Sequence, residues 1–134
     1  MILYIVVPCY NEEEVLETTA EKLGEKLRSL IKSGAVSDKS RAVFVDDGSK
    51  DRTWEIISTL HKKDSLFSGI KLSRNKGHQN ALLAGLLTVK DKCDAVISLD
   101  APDRDAVYKE LTDDIAKLYP GYTLQIAVDT DYTS

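Results

Sequence analysis

Four short apolar runs, each closed by a polar cluster, alternate along this chain with segments of helical length. The runs are residues 2–7, 41–45, 69–72 and 95–99. A continuous apolar run of strand length such as residues 2–7 suggests a strand buried on both faces. Between the runs, Leu16, Ala20, Leu23, Leu27 and Ile31 repeat at helical spacing. Trp54, Ile57 and Leu60 share one side of a second helix, and residues 79–90 are so rich in Ala and Leu that a largely buried third helix is expected. Val107, Leu111, Ile115 and Leu118 mark a fourth, over residues 105–118. Residues 122–128 alternate and read as a fifth strand at an edge. Strand–helix alternation throughout predicts an α/β fold: a Rossmann-like, open, mainly parallel sheet with helices on both faces and right-handed crossovers. The length, 134 residues, suits a single domain, residues 1–134, with one core.

Charge and cysteine usage narrow the partners. A net charge of −4 provides no electrostatic footprint for nucleic acid or an anionic membrane. No apolar run approaches the roughly 20 residues of a membrane span. Residues 1–7 lack a basic leader and stop at Pro8, which reads as a strand bounded by proline rather than a signal peptide. Cys9 and Cys93 make a poor disulfide framework, so they are expected to be core thiols in a cytoplasmic chain.

Chemistry gathers where the strands end. After Val43-Phe44-Val45 come Asp46-Asp47-Gly48-Ser49-Lys50-Asp51-Arg52-Thr53. Gly48 permits a tight turn, and Ser49 or Asp51 can cap a helix starting near Thr53. Asn11, before Glu12-Glu13-Glu14, is the expected N-cap of the first helix. An Asp-Gly pair alone is a common loop. Tyr10-Asn11-Glu12, Asp46-Asp47, Asn75-Lys76-Gly77 and Asp100 together put polar clusters at four strand ends. In open parallel sheets ligands bind at that edge. There is no Gly-x-Gly-x-x-Gly and no Gly-Lys-Ser/Thr loop, which disfavours ordinary dinucleotide and P-loop binding. Asp46, Asp47 and Asp100 suit a hard divalent cation bridging phosphates. Arg74 and Lys76 could neutralise phosphate charge, and Tyr10 could stack on a base. His78 reads as a helix-start residue rather than a ligand. A receiver-like phospho-acceptor domain is disfavoured, because its acid pair follows the first strand and here the pair follows the second.

Four stretches carry a resemblance: residues 6–13 (Val-Val-Pro-Cys-Tyr-Asn-Glu-Glu), residues 45–53, residues 72–81 (Leu-Ser-Arg-Asn-Lys-Gly-His-Gln-Asn-Ala) and residues 97–101 (Ile-Ser-Leu-Asp-Ala). In order and spacing they resemble the family 2 glycosyltransferases, most of all those that transfer a sugar to a polyprenyl phosphate such as dolichol or bactoprenol phosphate. The resemblance covers residues 1–101. It implies the GT-A fold, a nucleotide-sugar donor, inversion at the sugar's anomeric carbon, and a polyprenyl phosphate acceptor in the full-length relative, which works at the cytoplasmic face of a membrane. With the strand–helix alternation, it predicts strand order 3-2-1-4, with strand five beside strand four or at an edge. It also implies that Pro8, Tyr10 and Glu12 line a nucleoside pocket, that Asp46 holds the base, that Gly48 and Ser49 shape the loop, and that Lys76 approaches the base or diphosphate. Asp100 would open the Asp-x-Asp signature that holds Mg or Mn.

The sequence departs from the family pattern at that signature. It reads Asp100-Ala101-Pro102-Asp103-Arg104-Asp105, with Pro102 in the second carboxylate's place. Asp103 or Asp105 would have to substitute, so a weak metal site is expected. No catalytic base stands at a family position between Asp100 and Ser134, so the catalytic residue stays unassigned and the chain is expected to be incomplete for transfer. The wording of residues 102–134 is not the family's. That leaves a truncated or engineered chimeric scaffold as the alternative. An exposed fifth strand could also pair two copies into a homodimer.

Overall fold

The computed structural model describes residues 1–98 and 126–127. In chain order the elements are β1 (Leu3–Cys9), α1 (Leu16–Lys32), β2 (Arg41–Asp46), α2 (Thr53–Lys63), β3 (Phe67–Lys71), α3 (His78–Val89), β4 (Ala95–Ser98) and β5 (Ile126–Ala127). The sheet order is β3-β2-β1-β4-β5, and every pairing is parallel. The expected 3-2-1-4 order is therefore present, with the fifth strand beside the fourth. The expected helix over residues 105–118, most of residues 122–128, and Asp100, Pro102, Asp103 and Asp105 lie outside the described residues.

Both faces of the sheet are covered, which is why its strands are apolar without alternation. Leu3, Ile5, Val7, Ala42 and Phe44 pack with Leu16, Ala20, Leu23, Leu27 and Ile57 on the α1/α2 face. Val6, Val43 and Val45 pack with Ala81 and Val89 on the α3 face. Gly85 makes that second contact close: a Cβ there would stand 2.5 Å from Val6 Cγ1. The connections through α1 and α2 step one way along the sheet. The connection through α3 crosses back over β2 and β1 to reach β4. Strand order thus reverses between β1 and β4, the place where open α/β sheets form their ligand crevice.

Three local expectations are corrected. β1 does not stop at Pro8 but continues to Cys9, with Pro8 opposite Val45. The amide of Asp47 donates to the Cys9 carbonyl at 2.8 Å, so odd residues of β1 bond toward β2 and even ones toward β4. The missing N–H of Pro8 therefore faces the β4 side, beyond the last described pair, Val6 with Ser98. Next, Asn11 is not the N-cap of α1, which begins at Leu16 with Val15 before it and no side-chain cap. Finally, α3 is buried along one side only: His78, Ala81, Gly85 and Val89 are covered, whereas Leu83 and Leu87 are half-exposed on the other. Among the described residues no helix is long and apolar enough to cross a membrane.

Candidate functional site at the carboxyl edge of the sheet

Hydrogen bonds tie the loops after β1, β2 and β3 into one unit, and the β2 loop is its hub. Its side chains hold three successive amides of the β1 loop. Asn11 N–H donates to Ser49 Oγ (2.8 Å), Glu12 N–H to Thr53 Oγ1 (2.8 Å) and Glu13 N–H to Asp51 Oδ2 (3.1 Å). The Lys50 amide returns a bond to Asn11 Oδ1 at 2.9 Å. Asn11 pays for this exchange with a left-handed φ of 51°, which Asn tolerates better than most residues. Here lies the reason why Asn11 fails to cap α1: its side chain and amide are engaged some forty residues away. Ser49, expected as a helix cap or loop former, serves the β1 loop, while Asp51 Oδ1 takes the Thr53 amide (2.9 Å) and hydroxyl (2.6 Å). Burial alone raises the Asp51 carboxyl, but the bonds from the Thr53 hydroxyl and amide and the Glu13 amide prevail and hold it below the ordinary 3.8.

Asp46 and Asp47 are each 0% exposed. Consecutive residues at a strand end point to opposite faces. Asp46 follows Ala42 and Phe44 onto the α1/α2 face, where its Oδ1 accepts the Ser49 amide at 3.1 Å. Asp47 follows Val43 and Val45 onto the α3 face, where its Oδ1 accepts the Lys76 amide at 2.7 Å. The first oxygens of the two acids thus have separate partners, one in the β2 loop and one in the β3 loop. Each keeps its Oδ2 buried and without a hydrogen-bond partner. Among the described residues no group of three or more His, Cys, Asp or Glu is placed to hold a metal ion.

The other expected residues gather at the same edge. Pro8 is buried beside Val45, and Tyr10 and Glu12 are half-buried where β1 leaves the sheet. Gly48 has φ +71°, and a Cβ there would stand 2.3 Å from Arg74 C and Asn75 N, so only glycine lets the β2 and β3 loops touch. The side chains of Arg74 and Lys76 are exposed. His78 is the buried first residue of α3, as a helix-start residue would be. Cys9 is buried; burial, with Asp94 nearby, pushes the partly buried Cys93 thiol up. Sequence reasoning missed the anchoring roles of Asn11, Asp47, Asp51 and Thr53. For the last three the only local signal is the polar run at residues 46–53, which reads equally as a turn and a cap, and Asn11 beside Glu12-Glu13-Glu14 reads as a helix cap.

A separate cavity of about 580 Å³ opens between α1 and α2. Its walls include Glu21, Glu25, Thr59, Leu60 and Phe67, and none of the expected nucleotide-site residues lines it. Arg28 and Asp64 bridge the helices near one end.

Residues 4–117 match the model of the family described as "Glycosyl transferase family 2". An uncharacterized glycosyltransferase of Bacillus subtilis (strain 168), YkoT, is 47% identical over 106 residues, which are 79% of this chain and 32% of that protein. The undecaprenyl-phosphate 4-deoxy-4-formamido-L-arabinose transferase of Shewanella sediminis is 35% identical over 119 residues, 88% of this chain and 33% of the relative. A prophage bactoprenol glucosyl transferase homolog of Escherichia coli (strain K12) is 36% identical over 107 residues, 80% of this chain and 32% of the relative. The chain thus spans about a third of the length of the curated relatives it matches. Among solved structures, S. aureus TarS superposes with a TM-score of 0.52 at 22% identity, over 87% of this chain and 20% of that one, a likeness of fold.

Proposed function

Because the chain belongs to glycosyl transferase family 2, we propose that its carboxyl edge binds the nucleoside diphosphate part of a nucleotide-sugar donor, within an inverting transferase acting on a polyprenyl phosphate. The observation that carries this reading is Asp46. Its carboxylate sits at the carboxyl end of β2, fully buried, with Oδ1 fixed by the Ser49 amide and Oδ2 lacking a donor. A base N–H would supply that donor where water is excluded and a charge-assisted bond is strongest. Since Oδ2 is covered in the free chain, binding includes a local displacement of what covers it. Glu12 on one flank, through Thr53, and Lys76 on the other, through Asp47, are tied to the same β2 loop, and Tyr10 is half-buried beside Glu12. The acceptor class follows the names of relatives of which this chain spans about a third.

Mg or Mn would have to be held by Asp100 with Asp103 or Asp105, and the described residues do not by themselves make a metal site. The reading therefore routes no step through a cation. It expects weak metal binding without nucleotide, modest help from Mn with it, and no sugar transfer by the 134-residue chain alone. Titration calorimetry with uridine and guanosine diphosphates, with and without Mn, tests the proposal. Asp46→Asn should weaken binding about tenfold or more, because a hydrogen bond to a charged group is worth about 1.5–3 kcal/mol. Equal affinity in parent and variant would reject Asp46 as the base acceptor. A parent that binds neither nucleotide at millimolar concentration would favour the scaffold that keeps the fold without the function, the reading that Pro102 motivates.

A further inference from the structure

Tyr10 lies between two pinned peptides. On one side the Cys9 carbonyl accepts the Asp47 amide at 2.8 Å, and on the other the Asn11 amide donates to Ser49 Oγ at 2.8 Å. The next fixed point is the Glu12 amide, held by Thr53 Oγ1 at 2.8 Å. That hydroxyl is a relay. Its proton is committed to Asp51 Oδ1 at 2.6 Å, which leaves its lone pairs for the Glu12 N–H. Asp51 Oδ1 also takes the Thr53 amide, and Oδ2 takes the Glu13 amide. Thr53 is 0% exposed and is the first residue of α2, whose Ile57 packs in the core, so the relay stands on an anchored helix rather than on a free loop. The arrangement works against local stability. Asn11 is left-handed, and α1 starts after Val15, which offers no side-chain cap and is half-exposed. A forgone cap costs about 0.5–2 kcal/mol. Features kept against stability in this way are expected where geometry serves a site.

Resting on the nucleotide reading above, we propose that Thr53 is a positioning residue for the nucleoside: oriented by Asp51, its hydroxyl holds the Glu12 amide and so fixes how Tyr10 and Glu12 meet the ligand. Its own side chain is covered, so it acts through the β1 loop, from the start of a helix.

The test uses the full chain with Thr53→Val, which keeps the branched shape and removes the hydroxyl, and Thr53→Ser, which keeps the hydroxyl. Both are read by amide hydrogen exchange and by affinity for uridine, guanosine and their diphosphates. In Thr53→Val the Glu12 amide should exchange about tenfold faster or more while amides of β1 and β2 keep their protection, and affinity for nucleoside and diphosphate should fall by the same factor, about tenfold. Thr53→Ser should restore both the protection and the affinity. Should Thr53→Val fail to fold, Asp51→Ala, at a half-buried loop position, replaces it. That change frees the Thr53 hydroxyl to turn, and should speed exchange at Glu12 and Glu13 and lower nucleoside affinity. Unchanged Glu12 exchange in Thr53→Val overturns the proposal, as does faster exchange with nucleoside affinity unchanged, because the bond would then serve the fold alone. So does a loss confined to the diphosphates. A parent that binds none of the four compounds removes the nucleotide reading and the ligand role with it, whereas a parent that binds them no better than Thr53→Val removes only the role of Thr53.

Discussion

Gly48 and Gly34 allow the crowding of the loops to be measured against backbone strain. Both are left-handed, at φ +71° and +81°. Gly34 follows α1, and a Cβ there would meet nothing within 4 Å. Alanine in this region costs about 1–2 kcal/mol. A stiffer unfolded chain offsets about 0.4–1 kcal/mol of that. Gly34→Ala should therefore lose about 1 kcal/mol. Gly48→Ala carries the same strain and adds a methyl 2.3 Å from two backbone atoms. Carbon contacts are comfortable at about 3.5–4.0 Å, so the Arg74–Asn75 peptide must move by more than ~1 Å. Overpacking of this kind costs about 1–3 kcal/mol, for a total of about 2–4 kcal/mol. For a chain of this size the midpoint should fall about 4 °C in Gly34→Ala and about 8–16 °C in Gly48→Ala. Thermal unfolding followed by circular dichroism reads both. Equal midpoints would refute the close approach of the two loops.

Gly85→Ala should cost about 1–3 kcal/mol in the same melt, because its methyl meets the stiff Val6 side chain at 2.5 Å; a neutral effect would mean that α3 can lift off the sheet. The folded Asp51 carboxyl is held below 3.8, so its stabilisation is complete above that pH and lost as pH falls through the lower folded value. The melting difference between parent and Asp51→Asn should accordingly shrink in acid, and a difference that widens there would reverse the assignment. Asp46→Asn removes a buried charge with an unpartnered oxygen, so the unliganded variant should melt no lower than the parent even as it binds nucleotide less well; a lower midpoint would make Asp46 a structural acid.

Layering was legible because each face of the sheet imposes its own apolar requirement on a short stretch of sequence, whereas strand order came from the family resemblance joined to strand–helix alternation. The run at residues 41–45 could hardly be anything other than a central strand, and it became β2, extended by Asp46. The start of α1 was misread for an opposite reason. Asn11 beside three glutamates satisfies every local rule for a cap, yet its partners are Ser49 and Lys50. Nothing local announces a competition between a helix and a distant loop. The exposed side of α3 escaped notice too, since a helix apolar all round has no period from which to tell its covered face from its open one. At the site, Asp46 and Asp47 were visible as a pair, whereas their separation onto opposite faces required the strand to be known to run one residue further.

β1 precedes the other described strands in chain order, and it lies between β2 and β4. Its β2 neighbour is complete at Asp46, but its β4 partners arrive only with Ala95–Ser98. At about 5–20 residues per second, the 52 residues 47–98 take about 3–10 s to emerge. Throughout that interval the even-numbered peptide groups of a nearly all-apolar strand face outward without a neighbour. A nascent chain stalled before Ala95 would present an open template to any other strand, including that of a second ribosome's product. The topology that places a crevice between β1 and β4 thus also leaves one edge of β1 open to misassembly while residues 47–98 are translated.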